Sequence, residues 1–134
     1  MKRLDGMSVP HERLNIIKDQ RGFVLELLSA EDFGSQRNAH VVVSLPGVVR
    51  GNHYHIKGRE TITILGPSLV RFREQGVIEE TVVPDKEAWR FVFLPGVSHA
   101  FKNLSGEANI LVAFNTLEHD PTDPDTRKDL LIQV

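Results

Sequence analysis

The 134-residue sequence contains no cysteine. That absence removes disulfide staples, thiolate nucleophiles, iron–sulfur clusters and cysteine-type zinc sites. Any metal must therefore be held by histidine, aspartate or glutamate. A long hydrophobic run is missing too. The most apolar stretch, Val41 to Val49, is interrupted by Ser44, Pro46 and Gly47 and is too short to span a bilayer. The start, MKRLDGMSVP, has two basic residues with no apolar segment behind them, so it does not read as a signal peptide. A cytoplasmic protein with no membrane partner is the expectation. Nor does one sign of charge dominate: 16 Lys+Arg stand against 18 Asp+Glu, a net charge of −2, with no long basic run. A nucleic-acid partner held by counterion release is not expected from such a balance. Helix-period patterns are also scarce. Ser29 to Phe33, with Ser29 as cap, is the best of them and can run only a turn or two before Gly34.

What remains is an ordinary globular composition, 40% hydrophobic and 25% charged. The length predicts a single domain over 1–134, able to bury roughly two thirds of its unfolded surface. Short β-branched and aromatic runs recur between Gly, Pro, Asn and Asp. They predict strands near Asn15–Lys18, Phe23–Leu28, Ala39–Leu45, Val49–His55, Glu60–Leu65, Ser68–Arg73, Glu79–Val83, Arg90–Leu94, His99–Asn103 and Ile110–Asn115. Many short strands without intervening helices indicate an all-β antiparallel sandwich or barrel. From Glu118 onward the chain turns acidic and Pro-rich, then briefly apolar at Leu130-Leu131-Ile132. This tail is expected to wrap over the barrel or over a partner.

The six histidines are the residues to follow, and two segments single out three of them. In GVVRGNHYHIKGRE (47–60), His53 and His55 are two apart, so a strand turns both to one face. Glu60 opens the next strand after a short loop at Lys57-Gly58, and a hairpin sets its carboxylate beside the two imidazoles. In LPGVSHAFKN (94–103), a Pro-Gly turn places His99 at the start of a strand. His53, His55, Glu60 and His99 make an N₃O set suited to Zn, Mn, Fe, Ni or Cu, with one or two positions open for substrate. Phe101 and Asn103 share the parity of His99 and are expected to line the pocket. Strict alternation turns Arg50 away from His53, and a bulge at Gly51 is predicted to bring it inward. His40 reads as a hydrogen-bonded core or rim histidine, whereas His11 and His119 lie in polar, exposed segments. Arg71 and Arg73 alternate with Val70 and Phe72, which predicts a solvated outer face. Trp89 reads as core or interface.

These two segments resemble the paired signature motifs of the cupin superfamily. The match covers Gly47, His53, His55, Glu60 and Gly66, then Gly96, His99 and Asn103. It departs at turns: one residue is missing between Glu60 and Gly66, Leu94 replaces a Pro, and Ala88 a Gly. RGNHYH, LVRFRE, FLPGVSHAFKNLSGEA and DPTDPDT are further similar to the C-terminal cupin domain of capsular-polysaccharide enzymes that process nucleotide keto-sugars. RG-x-HY is similar to the RmlC-like 3,5-epimerases of nucleotide 4-keto-6-deoxysugars and to related ketoisomerases. The likeness runs from about Val41 to Thr126. It implies a double-stranded β-helix, a jelly-roll barrel with a motif core over about 41–117 and a tail over 118–134. The capsular enzymes join this domain to a nucleotide-binding reductase domain, for which 134 residues leave no room.

The resemblance implies an epimerase or isomerase that removes a proton beside the carbonyl of a nucleotide-linked keto-sugar. Such chemistry needs a base near neutral pH and a group that stabilises the enolate oxygen. In the metal-free sugar epimerases the base corresponds to His53, whereas in metal-binding cupins that position is a ligand. His55 favours the metal, with zinc foremost among the divalent ions, polarising the keto oxygen. Without a metal, His53 is the base and Arg50 the enolate or phosphate partner. Arg50, Phe101 and Asn103 are the expected substrate-binding residues. Two other classes stay open: a metal-dependent oxygenase or lyase on another small molecule, and a non-catalytic ligand-binding cupin. Cupins of this size commonly pair, and unprotected strand edges give this chain reason to form a homodimer.

Overall fold

The structure, a computed structural model, describes residues 9–134; the start MKRLDGMS lies outside the described residues. In chain order the strands are β1 (His11–Arg13), β2 (Ile16–Asp19), β3 (Gly22–Leu25), β4 (Asn38–Ser44), β5 (Val49–His55) and β6 (Glu60–Leu65). They continue with β7 (Ser68–Glu74), β8 (Val77–Val83), β9 (Ala88–Phe93), β10 (Ser98–Asn103), β11 (Asn109–Asn115) and β12 (Thr126–Lys128). A single turn of helix, α1 (Ala30–Phe33), follows Ser29, whose side chain caps it by accepting from Asp32 N.

Two antiparallel sheets face each other in the orders β1-β9-β6-β11-β4 and β12-β5-β10-β7-β8, with β2 and β3 as a separate hairpin. From β4 to β7 the chain alternates between the two sheets at each step, which is the winding of a jelly roll. The expected all-β antiparallel double-stranded β-helix is therefore present. Alternation along the strands fills the interior with Ile62, Ile64, Val70, Phe72, Phe91, Phe93 and Phe101. No helix among the described residues is long and apolar enough to cross a membrane.

Several expectations need correction. The strand predicted over Phe23–Leu28 stops at Leu25, and Leu27 instead gives its carbonyl to Arg90 Nη1 at 3.0 Å. His11 is not a free surface residue: its ring stacks on Trp89 at 5.6 Å, with planes 6° apart, as β1 pairs with β9. Arg71 and Arg73 do point out of the barrel, yet that face is covered by the tail. Arg71 Nη1 donates to Leu131 O at 2.9 Å, and Arg73 pairs with Asp129 at 3.3 Å. Leu131 and Ile132 pack on Ala100, Val49 and Leu69. The tail thus docks on its own barrel.

Candidate metal centre

Four side chains converge at one end of the barrel. His53 and His55 come from β5, Glu60 opens β6 in the opposite sheet, and His99 lies on β10 beside β5. One donor atom from each lies within 4.8 Å of every other. Glu60 bridges two of the rings, with Oε1 3.2 Å from His99 Nε2 and Oε2 3.1 Å from His55 Nε2. His99 is fully buried, and its Nδ1 meets Val97 O at 3.0 Å, leaving Nε2 turned to the cluster.

The bulge predicted at Gly51 is present. His99 faces His53 and Ala100 faces Gly51, so Asn52 is the extra residue. Gly51 has φ +86°, and a Cβ there would stand 2.6 Å from His99 O. Only glycine allows β5 to approach β10 this closely. Both histidines of β5 then enter the barrel opposite Glu60.

The electrostatics suit a cation. Burial, helped by the neighbouring His99 and His55, lowers His53 to about 4, so it is a neutral imidazole at physiological pH. Burial acts to lower His55 as well, but the Glu60 and Asp125 carboxylates outweigh it and raise its pKa. Burial would raise Glu60, yet the His55 and His99 imidazoles beside it hold its carboxyl well below the usual range. The cluster accordingly holds one carboxylate and a neutral His53, while Glu60 and Asp125 favour the protonated form of His55 until a cation displaces the proton. Neither ring nitrogen of His55 has a well-formed hydrogen bond although both are buried, a signature of a missing partner. Four donors around one ion at about 2.1 Å lie at most about 4.2 Å apart. The four residues therefore fit a divalent metal with only a slight closing of the ring.

Beside the cluster opens a cavity of about 800 Å³, lined by His55 and Glu60 at its base. Its walls are Asn38, His40 and Asn115 from the first sheet, the loop at Ile56 and Lys57, and the tail from Leu117 to Asp120 and Asp123 to Arg127. Glu60, Asn115 and Asn38 form one cross-sheet row, with His40 in the next. Behind the cluster lies Phe93, its ring 4.3 Å from that of His99 and 5.9 Å from that of Phe91.

Arg50, Phe101 and Asn103 come together at the opposite end, around a recess of about 20 Å³ that has room for about one water. None of the three lines the large cavity. Arg50 donates to Ser44 Oγ at 3.1 Å and Val43 O at 2.9 Å. Asn103 Nδ2 donates to Ser44 O and Glu107 O while its Oδ1 accepts Ser105 N. Phe101 belongs to the hydrophobic core. The wall residues Asn38 and Asn115 carried no sequence signal that singled them out, because their place depends on strand pairing. Asp125 lies in the DPTDPDT segment of the resemblance, but its place beside His55 depends on the path of the tail.

Residues 17–127 match the family model described as the polysaccharide biosynthesis C-terminal domain, and the chain belongs to that family. Its barrel is that of the RmlC-like cupins. A UDP-2-acetamido-2,6-beta-L-arabino-hexul-4-ose reductase from Pseudomonas aeruginosa is 30% identical over 113 residues, covering 81% of this chain and 29% of that protein. The capsular polysaccharide assembling protein CapF from Staphylococcus aureus superposes with a TM-score of 0.65 at 26% identity, over 88% of this chain and 33% of its own. This chain thus spans about a third of the length of either relative. ChmJ, a 3'-monoepimerase from Streptomyces bikiniensis solved with dTDP-quinovose, has a TM-score of 0.74 at 20% identity, over 96% of this chain and 72% of its own. At that identity the likeness shows the fold.

Proposed function

We propose that this chain is a metal-binding, sugar-modifying cupin that removes a proton beside the carbonyl of a nucleotide-linked keto-sugar. The observation that carries the reading is the convergence of His53, His55, Glu60 and His99 within 4.8 Å, with two of them, His55 and Glu60, lining a large cavity. The names of its relatives supply the substrate class: a UDP-hexulose reductase, a capsular polysaccharide protein and a nucleotide-sugar epimerase. His53, His55, Glu60 and His99 would hold a divalent ion, zinc foremost, which would supply a Lewis acid for the keto oxygen.

The remaining work falls to the cavity wall. With His53 in the ligand set, the base is a different group. His40 fits that role: it faces the cavity, and its Nδ1 meets Asn38 Oδ1 at 3.2 Å, which orients the ring. Asn115 and Asn38 offer amides to sugar hydroxyls, and Lys57 and Arg127 are the cations on the wall available to phosphate. Arg50, Phe101 and Asn103 are assigned to holding the far end of the barrel.

Two measurements test this. Elemental analysis of untagged protein is expected to find stoichiometric metal that is lost in His53→Ala. With metal bound, solvent deuterium is expected to enter a nucleotide keto-sugar next to its carbonyl. Absence of metal after supplementation removes the metal and returns His53 to the role of base. No exchange across a panel of such substrates removes the reaction.

We also assign a homodimer, supported by the outer face of edge strand β4, where Val41 and Val43 are 62% and 52% exposed beside Ile110, with Leu45, 66% exposed, just past the strand. Light scattering on the eluting protein is expected to give twice the chain mass, and Val43→Glu is expected to shift it toward the monomer.

A further inference from the structure

Only four residues, Ile56 to Arg59, separate His55 from Glu60, so the shape of that loop governs how both side chains enter the barrel. The loop is held from outside, by Asp125 in the tail. Asp125 Oδ1 accepts Lys57 N at 3.0 Å, and its Oδ2 accepts Gly58 N at 2.8 Å. Its backbone carbonyl accepts Ile56 N at 3.0 Å. The same Oδ2 faces His55 Nδ1 at 3.6 Å, between side chains 11% and 14% exposed. That Nδ1 is buried and has no hydrogen bond. The other ring nitrogen, Nε2, is turned toward Glu60.

A histidine that ligates through one nitrogen keeps a proton on the other. A carboxylate on that proton fixes the tautomer and ring orientation and strengthens the ligand. We infer that Asp125 is a positioning residue for the metal centre. Its carboxylate receives the Nδ1 proton of His55, directs Nε2 to the ion, and braces the loop that joins two ligands. The tail is thereby a working part of the site. This rests on the metal-binding reading above.

Zinc affinity measured by chelator competition on the full chain, together with the absorption spectrum of the cobalt form, tests it. Asp125→Asn keeps the shape and one acceptor oxygen, which in the Oδ2 position still serves both Lys57 N and Gly58 N, but removes the charge. It is expected to weaken zinc by roughly 10- to 100-fold, to alter the cobalt spectrum, and to leave the metal-free melting temperature close to wild type. Asp125→Ala is expected to weaken zinc further and to lower the metal-free melting temperature as well. If Asp125→Asn binds zinc as tightly as wild type with an unchanged spectrum, Asp125 is a loop brace alone and the inference falls. Should the wild type itself bind no zinc, the metal reading falls and takes this role with it, an outcome read before any variant is made.

Discussion

Phe93 lies against His99 as a nearly parallel plate, ring centroids 4.3 Å apart and planes 20° from coplanar. It also touches Phe72, Phe91 and Phe101, so one aromatic cluster both forms the core and supports a candidate ligand. Phe93→Ala is expected to cost about 3–5 kcal/mol in denaturant unfolding of the metal-free protein. Phe93→Leu is expected to cost a fraction of that, while still loosening metal because His99 loses its flat support. Equal zinc affinity in Phe93→Leu and wild type would show that the ring supports only the core.

In the proposed centre, metal and protons compete at His55. Its pKa is raised in the metal-free protein by Glu60 and Asp125 against the opposing effect of burial. The proton must leave Nε2 before the ion can bind, so affinity is expected to climb with pH until that raised pKa is passed. Calorimetry in buffers of differing ionisation enthalpy reads the proton release directly. A pH-independent affinity from mildly acidic to mildly alkaline solution would contradict it.

His53 behaves in the opposite sense. Burial, His99 and His55 lower it from 6.5 to about 4, so the unfolded chain takes up a proton that the folded one refuses. Stability of the metal-free protein is therefore expected to fall as pH drops from 6.5 to about 4 and to lose nothing further from this group below that. His55 contributes no slope there, because a raised pKa loses its stabilisation only as pH rises through it. Urea midpoints across this range are expected to fall less steeply in His53→Gln.

Asn52 clamps the tail. Its Oδ1 accepts Leu131 N at 2.8 Å and Ile132 N at 3.0 Å, and its Nδ2 donates to Ile132 O at 3.0 Å. It does so from the bulge, at φ 60°, a conformation asparagine tolerates better than most residues. Asn52→Ala is expected to cost about 2–4 kcal/mol through three lost hydrogen bonds and backbone strain. Faster hydrogen exchange at Leu131 and Ile132 is expected with it. Unchanged exchange there would show that apolar packing alone holds the tail.

His40→Ala separates catalysis from binding. Turnover of a keto-sugar is expected to drop by about 100-fold or more, the usual worth of a general base. Bound zinc is expected to stay at the wild-type level, since His40 is not among the four donors. Retained turnover would move the base elsewhere on the wall.

Much of this was legible along the chain. His53 and His55 share a face because a strand has a period of two, and Glu60 follows within hairpin reach. Gly51 next to Arg50 announced the bulge. Other features had no local signature. β1 and β12 are three polar residues each, His-Glu-Arg and Thr-Arg-Lys, and become strands only because β9 and β5 offer edges to pair with. Arg71 and Arg73 alternate like any exposed strand residues, and nothing local reveals that the tail will cover them.

The absence of cysteine, the spacing of His53, His55 and Glu60, and the punctuated strands determined by themselves the all-β class and those three candidate donors. Each follows from geometry within a few residues. Tertiary structure decided which end of the barrel holds the cavity. It set His99 beside His53, separated Arg50 and Asn103 from the four residues, and brought Asp125 to His55. It left Phe101 in the core, with its ring 5.7 Å from that of His99. Those outcomes depend on register between strands distant in sequence and on where an apolar tail finds a face to bury. Local periodicity does not encode such choices, because they are made by the packing of the whole chain.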